Sequence, residues 1–212
     1  MSAVQTDNVF AAYTSDVINA MAASKRFKEQ AEGWYAAIVK DNIFTQSKTS
    51  GGNMFKTELT LLRDSNDITT AFRFSPTLYT AIADPARHDA KATSFLAGKL
   101  EQLVTALQVP GVIAAPRMVD GQLTYNGGTI TKGEKEDADR EASASVLVGA
   151  EALRQDPSMA NNNVVFVKFG YQKDREGNLT LDAKGNKRGE IQEIRAELPR
   201  GKSLVDPSQA FV

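Results

Sequence analysis

Apolar residues recur along this chain at two spacings, one helical and one alternating, and the switch between them sets the expected elements. Phe10, Tyr13, Val17 and Met21 fall at helical spacing, as do Phe27, Ala31, Trp34, Ile38 and Val39. The first 42 residues are therefore expected to form two helices, with Ser24 capping the second and Trp34 in the core. Thr45 to Asn53 is polar with paired glycines and reads as an exposed loop. Phe55 to Leu61 alternates, and so do Ile68, Thr70, Phe72 and Phe74, which predicts a hairpin turning at Asp64–Asp67. Asp84-Pro85 opens a third helix with the stripe Phe95, Leu96, Leu100, Leu103 and Leu107, ended by Pro110-Gly111. Val112 to Val119, the turn Asp120-Gly121 and Gln122 to Tyr125 form a second hairpin pattern. Thr131-Lys-Gly-Glu134 has the capping-box spacing for a fourth helix running to Gln155. Asn161–Asn163 separates that helix from a strand, Val164 to Tyr171. Beyond it the chain is charged and glycine-punctuated, with a short strand at Leu179–Leu181. Ile191, Ile194 and Leu198 fit a helix or a strand.

These elements make one α+β domain over residues 1–202, with about four long helices and antiparallel β hairpins, not a standard OB barrel. Residues 203–212, with Pro207 and an apolar end, are expected to be a flexible tail that could dock a partner.

Charge changes the picture by restricting the partners. With 25 basic and 26 acidic side chains the 212-residue chain carries a net charge of −1, so no overall field draws it to DNA or anionic lipid. Any nucleic-acid site must be a local patch. The absence of cysteine excludes disulfides, thiolate catalysis and Cys-ligated zinc. The first residues lack the basic start and apolar run of a signal peptide, and no apolar stretch approaches the roughly 18–20 residues that span a bilayer. A soluble, cytoplasmic protein with no membrane partner is expected, in the host cytoplasm if the chain is viral.

Catalytic constellations are weak. The one histidine, His88, lies beside Asp89 near a helix start, with no nucleophile elbow in the chain. Ser50-Gly-Gly-Asn-Met-Phe-Lys-Thr57 and Gly127-Gly-Thr-Ile-Thr-Lys-Gly133 lack the glycine placement of a phosphate loop. The acidic run Glu134, Glu136, Asp137, Asp139 and Glu141 suits a helix start, where the dipole favours negative charge. No enzyme, cofactor or metal is expected, although a carboxylate-dependent nuclease or phosphotransferase stays open.

The informative stretch is Val164 to Arg175 and the arm beyond it. On a strand, Val165, Val167, Phe169 and Tyr171 share one face, and Phe166, Lys168 and Gly170 the other. Residues 168–188 hold six basic and three acidic side chains. Basic groups that track phosphates beside aromatic faces that stack on bases are what single-stranded nucleic acid requires. The candidate binding residues are Lys168, Tyr171, Lys173, Arg175, Lys184, Lys187 and Arg188, joined by Lys25, Arg26 and Lys28 between the first two helices. Lys48 and Lys56 flank the glycine loop. An apolar strand with a charged edge hairpin is equally the ordinary rim of an α+β sheet, so a structural or host-interaction protein with no nucleic-acid role is the alternative.

The run Phe166 to Tyr171 mixes glycine and aromatics as the ribonucleoprotein strand of RNA-recognition motifs does, but in another order and without the βαββαβ layout. In size, lack of cysteine, expected N-terminal helices and the basic-aromatic segment Phe166 to Arg188, the chain resembles the small single-stranded DNA-binding cofactors of lytic phages that encode their own RNA polymerase. That resemblance implies preferential binding of single-stranded DNA through a fold unlike the OB barrel, and recruitment of a phage RNA polymerase to melted promoters. It transfers no individual residue, and it leaves a homo-oligomer open.

Overall fold

A computed structural model describes residues 30–72, 75–183 and 185–210. In chain order the strands β1 (Gly33–Gln46), β2 (Asn53–Asp64), β3 (Asp67–Ala71) and β4 (Thr77–Ala81) come first. Helix α1 (Ala90–Ala106), the short strands β5 (Arg117–Val119), β6 (Gln122–Tyr125) and β7 (Gly128–Thr129), and helix α2 (Lys135–Gln155) come next. A 3-10 turn (Pro157–Ala160) leads into β8 (Val164–Tyr171) and β9 (Gly189–Arg195).

The long β1 replaces the second expected helix. Trp34-Tyr-Ala-Ala-Ile-Val39 is buried at every position, so it shows no polar face to mark its period. Ile38 stands four residues after Trp34 and satisfies helical spacing by coincidence, because a continuous apolar run is ambiguous between a helix and a strand buried on both faces. The expected first helix and the start of the second, with Ser24, Lys25, Arg26 and Lys28, lie outside the described residues. Four long helices are thus corrected to two, α1 and α2, among the described residues.

All pairings in the main sheet are antiparallel, in the order β3-β2-β1-β8-β9, with β4 joined to the opposite half of β2. Residues flanking β3 and β4 also bond to β2: Phe72 N–H donates to the Leu61 carbonyl and Leu59 N–H to that of Pro76. β3 and β4 therefore lie along the same edge of β2. A bulge between Val39 and Asp41 shifts the alternation of β1. Tyr35, Ala37 and Val39 before it, and Asn42 and Phe44 after it, share the inner face with Phe55, Leu59 and Leu61 of β2 and Val165, Val167 and Phe169 of β8. Leu100, Leu103 and Leu107 of the α1 segment and Val146 and Leu153 of α2 close this core. Each such side chain contributes about 1.5–3 kcal/mol by leaving water.

The sheet curls. β4 and β9, at its two margins, run parallel and approach each other without pairing, and α1 lies across the gap, its Lys99 Nζ donating to the Gln192 carbonyl at 3.1 Å. A three-strand meander, a helical crossing and a returning hairpin, with β8 against β1 and β9 beside β4, is the connectivity of a partly open OB barrel. The expectation of a fold other than an OB barrel is corrected accordingly. That expectation came from the resemblance, and the helical reading of β1 left no central strand to set against it.

Several local expectations agree with the structure. β8 spans the expected residues, and the β2–β3 and β5–β6 hairpins and α2 are present. The expected capping box is only half formed: Thr131 N–H donates to Glu134 Oε2 at 2.8 Å, while Glu134 is the N-cap and no side chain caps the helix. Helix α1 starts later than expected, capped by Asp89, whose carboxylate accepts from Ala92 N–H at 2.7 Å, and Phe95 of its stripe is exposed. The ambiguous segment at 191–194 is strand β9. Residues 203–210 run beside β1: Val205 N–H donates to the Trp34 carbonyl at 2.9 Å, Ala31 N–H to that of Ala210 at 2.9 Å, and Ala210 is fully buried. Gly33, at φ +150°, makes room for them, since a Cβ there would lie 2.4 Å from Val205 Cγ2.

Candidate nucleic-acid interface

Two loops leave the barrel at opposite ends of β1: residues 47–52, joining β1 to β2, and residues 172–188, joining β8 to β9. They correspond in position to the loops that border the ligand face of OB barrels, whose outer second and third strands lie between. Here those strands are β2 and β4.

On their outer face stands a row that the sequence pattern did not assemble. Ile43 of β1, Lys56 of β2 and Tyr79 of β4 are cross-strand neighbours. Tyr79 is 61% exposed and Ile43 39%, so an aromatic ring and an aliphatic side chain flank an ammonium group in solvent. Glu58, the next outward residue on β2, holds Lys56 Nζ and raises the lysine pKa above its ordinary value. Tyr79 was hidden because Thr77-Leu-Tyr-Thr-Ala81 is short and its alternation weak. The signal that could have found it is the antiparallel register with β2, which sequence periodicity does not contain.

The expected site residues divide. Lys168 projects from the outer face of β8, exposed, between Trp34 on β1 and Glu193 on β9. Glu193 is held by Arg195, and Lys168 has no acidic partner among the described residues. Tyr171 lies on the inner parity instead. Its hydroxyl donates to the Gln30 carbonyl at 2.7 Å, its ring meets Phe169 edge-on at 5.4 Å, and Lys187 Nζ sits 5.4 Å from its centroid. The ring is half-buried against the core. The expected exposed stacking platform at Tyr171 is therefore a structural anchor.

Lys173, Arg175 and Arg188 are exposed on the 172–188 arm, while Lys184 lies outside the described residues. The arm is built from a short tandem repeat: Asp174-x-x-Gly177-Asn178 recurs eight residues later as Asp182-x-x-Gly185-Asn186. In the first turn Asp174 Oδ1 accepts from the N–H groups of Glu176 and Asn178, both at 2.9 Å, and Asp182 Oδ1 accepts from Asn186 N–H at 2.9 Å in the second. Gly177 and Gly185 take φ of +88° and +81°, a conformation open to glycine without strain. The Asn178 backbone N–H holds the Asp174 carboxyl below the usual carboxylate range. At the base, Gln172 N–H donates to the Arg188 carbonyl, Arg188 N–H to that of Thr180, and Thr180 N–H to that of Gln172, at 2.8, 2.9 and 2.8 Å. These three residues, spaced by eight, close a ring of backbone hydrogen bonds. The arm thereby holds its shape without a core, and Leu179 and Leu181 remain 40% and 52% exposed.

No family model matches the chain, and no curated protein matches it significantly. Its chemistry must be read from the geometry. Among the described residues no group of three acidic or histidine side chains converges as a metal site. The acidic run at the start of α2 is spread along the helix surface, where Lys135 pairs with Asp139, and Arg140 with Glu136 at 2.5 Å. No helix of the described residues is long and apolar enough to cross a membrane.

Proposed function

We propose that the protein binds single-stranded DNA across the outer face of β2 and β4, with the 172–188 arm and Lys168 supplying further phosphate contacts. The observation that carries this reading is Tyr79, an exposed ring beside Lys56 on the outer face of the second and third strands of an OB-like barrel. Stacking on an aromatic face contributes roughly 1–3 kcal/mol per base whatever its identity, and a lysine within reach tracks the backbone. The weak net charge fits this arrangement, because duplex DNA would need a broader basic field than one row and one arm supply. Service to transcription or replication, including recruitment of a phage RNA polymerase, is the fuller form of the proposal.

Fluorescence anisotropy of labelled oligo-dT and of a duplex of equal length, at two salt concentrations, tests it. Single strand should bind at least about tenfold more tightly than duplex, and Tyr79→Ala should weaken it. Equal affinity for duplex, or an unaffected Tyr79→Ala, sinks the proposal. A protein-binding role would then come first, with Leu147 and Val148 of α2 as its surface, since they stand side by side at 65% and 71% exposure.

A further inference from the structure

The first loop and the end of β4 enclose a cavity of about 490 Å³ that the outer-face row does not use. Its size falls within the roughly 300–1,000 Å³ of small-molecule sites. Three segments build it: the loop at Ser50–Gly52, the strand ends at Gln46, Asn53 and Ile82, and the turn at Asp84–His88 that precedes α1.

Its polar groups fall into two sets. Gln46 and Asn53 are a cross-strand pair joined by one amide–amide hydrogen bond, Gln46 Nε2 to Asn53 Oδ1 at 3.3 Å. The bond leaves the Gln46 carbonyl oxygen as an acceptor and the Asn53 NH₂ as a donor on the same amide pair. An acceptor with a donor matches the hydrogen-bonding edge of any nucleobase. The second set is cationic or donating. Arg87 is held by Asp84, Nε to Oδ2 at 3.2 Å, and its Nη1 donates to the Ser50 carbonyl at 3.4 Å. Its Nη2 has no acceptor among the described residues. His88 Nδ1 accepts from Asp84 N–H at 3.0 Å, which places the proton of the neutral ring on Nε2 and makes that atom a donor.

The geometry points to a seat for one nucleotide: the base edge on the Gln46–Asn53 amides, the phosphate on Arg87 Nη2 and His88 Nε2–H. Gln46, Asn53 and Ile82 stand on the inner parity of Phe44 and Phe55, so the seat opens at the end of the barrel and not on the Tyr79 row itself. The inference rests on the single-strand reading: a strand leaving the Tyr79 row would turn over the end of β4 to set a nucleotide here. A free nucleoside monophosphate offers the same chemistry, and the test separates the two sources.

The test titrates the full-length ¹⁵N-labelled protein with thymidine 5′-monophosphate, thymidine, inorganic phosphate and oligo-dT. The monophosphate should move the side-chain amide signals of Gln46 and Asn53 and the backbone signals of Gly51 and Gly52, and bind at least tenfold more tightly than thymidine. Arg87→Gln should remove that tenfold difference, and Gln46→Ala with Asn53→Ala should weaken thymidine binding. These positions are exposed or partly so, and an unchanged spectrum elsewhere confirms the fold. Signals that ignore the monophosphate, or respond as strongly to inorganic phosphate, overturn the seat. If the monophosphate binds but oligo-dT does not, the seat stands and the single-strand reading falls. If oligo-dT binds through Tyr79 without moving the cavity signals, the seat falls and that reading stands.

Discussion

Two tyrosines on this barrel each have a lysine at hand, yet they do opposite things. Tyr171 ends β8 on the inner parity, so its ring packs on Phe169, its hydroxyl ties the strand to Gln30, and Lys187 covers it. Tyr79 occupies the outer parity of β4 and keeps 61% of its surface in water beside Lys56. Side-chain composition is nearly the same at the two places. The side of the pleat decides between them, because adjacent residues of a strand face opposite ways and only one face meets the helices. A basic-aromatic segment is therefore a binding surface only where its parity points outward.

The sharpest way to break this comparison is to truncate both rings. Tyr171→Ala should lower unfolding stability by about 2–3 kcal/mol in a urea titration, less than the roughly 3–5 kcal/mol of a fully buried aromatic. Tyr171→Phe, which drops the hydroxyl's bond to Gln30, should cost about 0.5–1.5 kcal/mol. Equal stability of wild type and Tyr171→Ala would remove its role as anchor. Tyr79→Ala should leave stability within about 0.5 kcal/mol and cost roughly 1–3 kcal/mol of oligo-dT affinity with an unchanged salt slope. The reverse assignment of the two losses would place the interface on β8.

Charge gives a smaller, additive effect. If Arg175 or Lys168 meets a phosphate, replacing it by Ala should flatten the slope of log K against log salt by about 0.7. Glu58→Gln should act in the other direction, releasing Lys56 for phosphate, so that binding tightens and the slope steepens by about the same step. An affinity that does not respond to Glu58→Gln would exclude Lys56 from the contact.

The smallest effect concerns acid. The Asp174 carboxyl titrates below its ordinary value in the folded arm, so its contribution is present above that value and lost as pH falls through the depressed one. Amide exchange at Asn178 and Glu176 should therefore quicken selectively below the normal carboxylate range, before the sheet opens. Asp174→Asn should remove that selectivity. Simultaneous loss of arm and sheet protection would show that the arm is not a separately held unit.

Part of this architecture was legible because its pattern is local. β2 alternates cleanly, with Phe55, Thr57, Leu59 and Leu61 inward, and β8 sits between an asparagine run and a charged arm. The stop after Leu107 comes from turn chemistry that acts within a few residues, and the polar Thr131–Glu134 turn marks the start of α2. β1 was not legible, because six buried residues in a row erase the alternation and the bulge at 39–41 reverses the parity of every later residue in the strand. The tandem Asp-x-x-Gly-Asn turns were readable at their eight-residue spacing, which is shorter than the periods of solenoid repeats.

The sequence by itself determined the local chemistry: where polar turns fall, which strands alternate, that no cysteine or broad basic field is present, and which side chains the arm carries. Only the tertiary structure decided which of them share a surface. The bulge in β1, the register that sets Tyr79 beside Lys56 and Ile43, and the approach of β4 to β9 depend on pairings between residues distant in the chain. Such pairings are selected by burial of a common core, where shifting a strand by one residue exchanges its inner and outer faces. That exchange is what separates Tyr171, which holds the barrel together, from Tyr79, which is open to a ligand.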